Sequence, residues 1–126
     1  MILPGNLENT VPKVVYEEMD GTITIKGKAV SPEIEVYFKE FIPYLKDCLT
    51  KNPMNIVADV DLEYFSTRAS KVIMQFFYIL KQYVQDKNFK VIVNWYYEID
   101  DENMLESGED YEELSRIKFN FIEKPE

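Results

Sequence analysis

Histidine is absent from these 126 residues, and cysteine occurs once, as Cys48. Without imidazole the chain can build neither a Ser-His-Asp nor a Cys-His pair, offers no histidine to a metal, and has no side chain that titrates near neutrality unless its pKa is displaced. Enzymatic readings are confined to carboxylates, or to unusual lysine and tyrosine chemistry. A single thiol excludes an internal disulfide framework and a cysteine zinc cluster, so packing must hold the fold, most simply in a reducing cytoplasm. Glycine is scarce as well. Four glycines, with no GxGxxG, GxxxxGK[ST] or GxSxG pattern among them, leave little room for a phosphate-cradling loop or a nucleophile elbow. No apolar run approaches the roughly 18 residues that span a bilayer, and Met1-Ile2-Leu3-Pro4-Gly5 carries neither a basic region nor a long apolar one. The expectation is a protein that neither crosses a membrane nor is exported.

Positive charge is the minority sign, with 14 bases against 23 acids and a formal net charge of -9. Nine of those acids fall between Glu98 and Glu113 with no base among them, which leaves the rest of the chain balanced at 14 of each sign. Such a chain has no surplus cations with which to release counterions from a phosphate backbone or an anionic lipid surface. Neither a nucleic acid nor a membrane is expected as a partner.

What is present is a core. Hydrophobic residues make up 46% of the chain, and nine Tyr, eight Phe and one Trp supply large apolar surfaces, enough for one compact domain over residues 1–126 and too little for two. Lys13–Glu18 and Thr22–Gly27 are β-rich runs separated by Met19-Asp20-Gly21, a hairpin signal because glycine readily takes positive φ. Ser31-Pro32-Glu33 is a helix start, with a capping hydroxyl, a preset φ and an acid at the positive dipole end. Ile34, Phe38, Phe41, Leu45 and Cys48/Leu49 then recur at helical spacing as one buried stripe. Pro43 falls on the polar side, and the helix should stop before Asn52-Pro53. Asn55–Glu63 alternates as a half-buried strand. A second helix, about Ala69 to Asp86, carries two adjoining stripes, Val72/Phe76/Ile79/Tyr83 and Ile73/Phe77/Leu80/Val84, so it should lie flat on a sheet. Phe89–Tyr97 reads as a central strand, Glu102–Ser115 as a short acidic helix and Ile117–Ile122 as a last strand. The order ββαβαβαβ predicts an α/β fold: a mixed, mostly parallel sheet with an N-terminal hairpin, covered by helices.

The densest chemistry lies at Ser66-Thr67-Arg68-Ala69-Ser70-Lys71, where a strand's C-terminal end meets a helix N-terminus. Functional groups gather at such junctions, and the free N–H groups and dipole favour negative charge. One serine or threonine there would serve as a plain cap; three hydroxyls and two cations exceed what a cap requires. A phosphate on Thr67 would add about -1.5 to -2 charges where the dipole, Arg68 and Lys71 can stabilise it. Thr67, Lys71, Met74, Tyr78 and Lys81 follow one another at spacings of four and three opposite the core stripes, with an exposed Met and Tyr suited to protein contact. A second candidate is the Asp100–Asp110 cluster, a possible divalent-metal site or metal-assisted hydrolase centre. It lacks the calcium-loop spacing, and acid runs usually face water. Cys48 has no histidine to activate it and reads as packing.

Beyond these patterns, Thr10–Val14, Gly21–Gly27, Ser31-Pro32-Glu33, the Tyr-Phe-x-Thr-x-x-Ser-Lys run at Tyr64–Lys71 and the Trp-x-Tyr block from Trp95 through Asp100-Asp101-Glu102 to Gly108-Glu109-Asp110 resemble the SiaC family of small bacterial regulatory phosphoproteins. The likeness spans nearly the whole chain and implies a STAS-like domain related to anti-sigma-factor antagonists. It also implies that Thr67 is phosphorylated by a partner protein kinase and released by a PP2C-type phosphatase. The unphosphorylated form would then bind and activate a diguanylate cyclase. Ser66 and Arg68 stand where the family more often has Asn and Ser. The combined expectation is a non-catalytic, cytoplasmic partner-switching protein, monomeric when free and without a cofactor or metal. Its docking face would run through Ser66, Arg68, Ser70, Lys71, Met74 and Tyr78.

Overall fold

The computed structural model describes residues 1–125, and the backbone alone at residues 86 and 87. Strands β1 (Ile2–Leu3), β2 (Lys13–Glu17) and β3 (Thr22–Ala29) are followed by helix α1 (Glu33–Lys51), β4 (Ile56–Phe65), α2 (Thr67–Lys87), β5 (Val91–Tyr97), α3 (Glu102–Ser115) and β6 (Lys118–Glu123). The six strands lie side by side in chain order. β1–β2 and β2–β3 are antiparallel, whereas β3–β4, β4–β5 and β5–β6 are parallel. The expected ββαβαβαβ order is present, preceded by the two-residue β1, too short to leave a periodic signal.

Parallel neighbours joined through helices take right-handed crossovers, and with strands laid down in one direction all three helices fall on the same side of the sheet. Burial agrees with this. Ile56, Ala58, Val60 and Leu62 are buried on β4, while the intervening Val57, Asp59, Asp61 and Glu63 are exposed or half-buried. The expected helices do pack on the sheet, and all on one face. The other face carries a polar row, in which Asn120 Nδ2 donates to Asn94 Oδ1 at 3.1 Å and Asn94 Nδ2 to Asp59 Oδ1 at 2.7 Å, and an Asp61–Lys124 ion pair. β5 has a strand on each side, as its apolar run suggests.

The helices form where the apolar spacing places them. On α1 Ile34, Phe38, Phe41, Leu45 and Leu49 are all buried, Cys48 is half-buried, and exposed Pro43 sits inside the helix on its polar side. Pro32 is the residue before the first helical turn rather than within it and makes no side-chain cap, while Ser31 Oγ accepts the N–H of Glu33, the first helical residue, at 3.2 Å. α2 starts two residues earlier than its apolar stripe indicates, because the strand delivers Ser66 directly into the capping position. Between helices and sheet lies an aromatic cluster in which Phe77 meets Phe76, Trp95, Tyr111 and Phe119 at centroid separations of 5.2–6.4 Å. α2 is the middle helix, packed against α1 on one side and α3 on the other.

Tyr16 on β2 is 3% exposed, set edge-on to Phe41 and Tyr44. Burial, with smaller contributions from Cys48 and Glu18, pushes its phenol up to about 12. An unfolded tyrosine titrates near 10, so above that pH the unfolded chain loses a proton that the folded one keeps. Stability is expected to fall by about 2 kcal/mol as pH rises from 10 to 12. Thermal unfolding followed across that window should show the loss in the wild type and a shallower loss in Tyr16→Phe.

Candidate functional site

The junction between β4 and α2 is held from both sides. The Ser66 amide donates to the Ala29 carbonyl at 2.9 Å, which ties the turn to the end of β3. Ser66 has extended backbone angles, and its Oγ accepts the Ala69 N–H at 3.1 Å, so this serine is the N-cap and Thr67 the first helical residue. Ala69 behind it is fully buried against the core. The first turn of α2 contains no acid, whereas α1 has Glu33 and Glu35 and α3 has Glu102 in theirs.

The three hydroxyls at this junction do different things. Ser66 is spent on the cap. Ser70 is half-buried and turned inward: Tyr111 OH donates to the Ser70 carbonyl at 3.1 Å, which leaves the Ser70 hydroxyl to donate to Tyr111 oxygen at 2.8 Å. Burial raises the Tyr111 pKa, with the Ser70 hydrogen bond opposing the shift. Thr67 is exposed, and its hydroxyl has no hydrogen-bond partner among the described residues. The arrangement thus offers one free oxygen to a reagent from solution, at a helix N-terminus where added negative charge is favoured.

Thr67 stands on the wall of a groove of about 780 Å³ between α1 and α2. Its apolar lining is Phe38, Ile42 and Pro43 from α1 with Val72 from α2; its polar rim is Glu35 and Lys39 from α1 with Arg68, Lys71 and Gln75 from α2. Arg68 Nε lies 3.3 Å from Glu35 Oε1, an exposed pair that bridges the two helices at the groove's end. Lys39 and Lys71 are exposed and make no ion pair among the described residues. Sequence reasoning missed Glu35 and Lys39. Both lie on the polar side of α1, and only the adjacency of α1 and α2 brings them to Thr67.

Of the expected docking stripe, Lys71 and Tyr78 are exposed, Tyr78 at 46%, and lie in line with Thr67 along α2. Met74 is corrected from exposed to half-buried, because it packs on the edge of the core. Ser66 and Ser70 are half-buried and occupied as described, and Arg68 projects toward α1.

Of the acids of the 98–113 segment, Glu98 and Asp100 are exposed ahead of α3, and Glu102, Glu106, Glu109, Asp110, Glu112 and Glu113 are spread along it. Asp101 is its N-cap, accepting the Met104 N–H at 3.0 Å, and Glu112 accepts the Phe119 N–H at 2.9 Å. Among the described residues no three metal-ligating side chains converge. The Cys48 thiol pKa is pushed up by burial first and by Glu18 second, which keeps the sulfur in its less reactive protonated form. No helix of the described residues is long and apolar enough to cross a membrane.

A model of the SiaC family of regulatory phosphoproteins matches residues 6–124. No curated protein sequence matches the chain. Among solved structures, a chain in the crystal structure of the diguanylate cyclase SiaD in complex with its activator SiaC from Pseudomonas aeruginosa superposes with a TM-score of 0.88 at 19% identity, covering 98% of this chain and 99% of that one. Apo-SiaC from Pseudomonas aeruginosa gives a TM-score of 0.82 at 21% identity, covering 97% of each chain.

Proposed function

The chain belongs to the SiaC family of regulatory phosphoproteins, and from that premise we propose that it is a non-catalytic partner-switching protein of the cytoplasm, monomeric when free, whose phospho-acceptor is Thr67. The observation that carries the choice of residue is the division of labour among the three hydroxyls: Ser66 caps the helix, Ser70 binds Tyr111, and Thr67 is exposed and unengaged. A kinase would join Thr67 Oγ1 to the γ-phosphorus of ATP as the bond from that phosphorus to the β-phosphate oxygen breaks, the hydroxyl proton passing to the kinase's base. A PP2C-type phosphatase would return threonine and inorganic phosphate by hydrolysis.

The unphosphorylated form would bind a diguanylate cyclase through the outer face of α2 and the α1–α2 groove. Two features support that surface. Lys71, Met74 and Tyr78 continue from Thr67 along one helix face, and the groove beside them joins an apolar floor to a cationic rim. A dianion at Thr67 would alter both the charge and the hydration of that surface. The SiaC chain seen with SiaD is described as that cyclase's activator, and the same role is proposed here for this chain with its own cyclase.

Incubation with a cognate kinase, followed by fragment mass spectrometry, should place a single phosphate on Thr67 and none on Ser66 or Ser70. Thr67→Ala should take up no phosphate and still bind the target. Phosphate on a different residue, with Thr67 untouched, would overturn the assignment.

A further inference from the structure

We infer that Glu35 is a stand-in anion for the phosphate of Thr67, and that phosphorylation makes Arg68 exchange one for the other. This rests on Thr67 as the acceptor and adds the rearrangement that its phosphate drives. α2 begins with no acid in its first turn and with two cations, Arg68 and Lys71, near the positive end of its dipole. That electrostatic arrangement is unfavourable in isolation. The missing anion comes from α1, as the Glu35 carboxylate 3.3 Å from Arg68 Nε.

Thr67, Arg68, Lys71 and Glu35 border one groove, and side chains in a first helical turn lean toward its N-terminal end. A phosphate on Thr67 would therefore arrive within reach of Arg68 and beside Glu35. The existing pair is exposed on both sides, the kind that contributes little and is readily exchanged. A phosphate carries about twice the charge of a carboxylate and accepts the guanidinium through paired hydrogen bonds, so it takes Arg68 and repels Glu35.

Two consequences follow for the groove. Its rim, one acid against three bases in the unphosphorylated chain (Glu35 against Lys39, Arg68 and Lys71), falls from a net charge of +2 to about zero when the phosphate brings close to two negative charges. The side-chain link between α1 and α2 at the groove's end is released. A target that presents a carboxylate beside an apolar anchor would lose its electrostatic partner and meet an altered entrance.

The test needs neither kinase nor target, because phosphothreonine can be installed at position 67 during synthesis of the chain. Phosphorus NMR titration should give a second phosphate pKa about half a pH unit below the usual value near 6, raised toward that value in Arg68→Ala. Glu35→Gln should lower the pKa further, and this effect should be at least twice as large with Arg68 present as in the Arg68→Ala background. The Arg68 Nε–H resonance should move between the unphosphorylated and phosphorylated chains. A pKa insensitive to Arg68→Ala, or strictly additive effects of the two substitutions, would overturn the exchange. Those results leave Thr67 as acceptor untouched, whereas failure of the kinase to modify Thr67 leaves the titration of the installed phosphate interpretable.

Discussion

Gly108→Ala is expected to destabilise the fold by about 2–3 kcal/mol, although in an exposed helix the same change would stabilise by up to about 1 kcal/mol. The sign reverses because α3 lies directly on the indole of Trp95. A β-carbon at position 108 would sit 2.6 Å from both Trp95 Cδ1 and Nε1, closer than two such atoms can approach. The indole cannot give way: Trp95 is 0% exposed, its Nε1–H donates to the Met104 carbonyl at 2.9 Å, and Phe65, Phe77, Tyr111 and Phe119 surround it. The helix must lift instead. α3 also carries Tyr111, whose hydroxyl holds Ser70, so its displacement would loosen the first turns of α2 beside Thr67. Denaturant unfolding measures the loss, and the near-ultraviolet circular dichroism of Trp95 should weaken with it. A stabilised Gly108→Ala protein would show that the indole yields.

The second large effect concerns docking. Lys71→Glu is expected to weaken binding to the proposed cyclase target by about 10- to 100-fold, because it reverses a charge one helical turn from Thr67 on the wall of the α1–α2 groove. Tyr78→Ala should cost about tenfold, since tyrosine is among the residue types enriched at interface hot spots and this one is half exposed in line with that charge. Both residues are exposed and neither supports the core, so unfolding midpoints should stay within a degree or two of the wild type's, as is usual for surface substitutions. Met19→Ala, at the 91% exposed tip of the β2–β3 turn, serves as a control that should leave affinity unchanged. Calorimetric titration of each variant against the cyclase checks the set, and equal affinities throughout would move the docking face off α2.

Much of this molecule was legible in its residues because periodicity and punctuation agreed. The Asp20-Gly21 turn does close β2 onto β3, with Gly21 at a φ of +70°. The α1 stripe from Ile34 to Leu49 is buried as spaced, and the wide apolar arc of α2 makes it the middle helix. What escaped notice has physical reasons. A two-residue strand has no period, and β1 is formed only by its pairing with β2. Helical spacing placed Met74 opposite the main stripes, yet packing at the edge of the core half-covers it. Thr67 was singled out by its place at a strand–helix junction, but its distinction from Ser66 and Ser70 depends on Ala69 and Tyr111, the second of which is 41 residues away from Ser70. Glu35 and Lys39 were invisible as site residues for the same reason. Charges on the polar side of α1 acquire meaning only from the helix laid beside them.

The measurement that bears most directly on the proposed switch is a paired titration of the proposed cyclase target with two preparations of this chain, one unmodified and one fully phosphorylated at Thr67. The unmodified chain should bind and raise cyclase activity, and the phosphorylated chain should bind at least tenfold more weakly and leave the cyclase at its basal rate. Equal binding and equal activation by the two preparations would contradict the account at its centre.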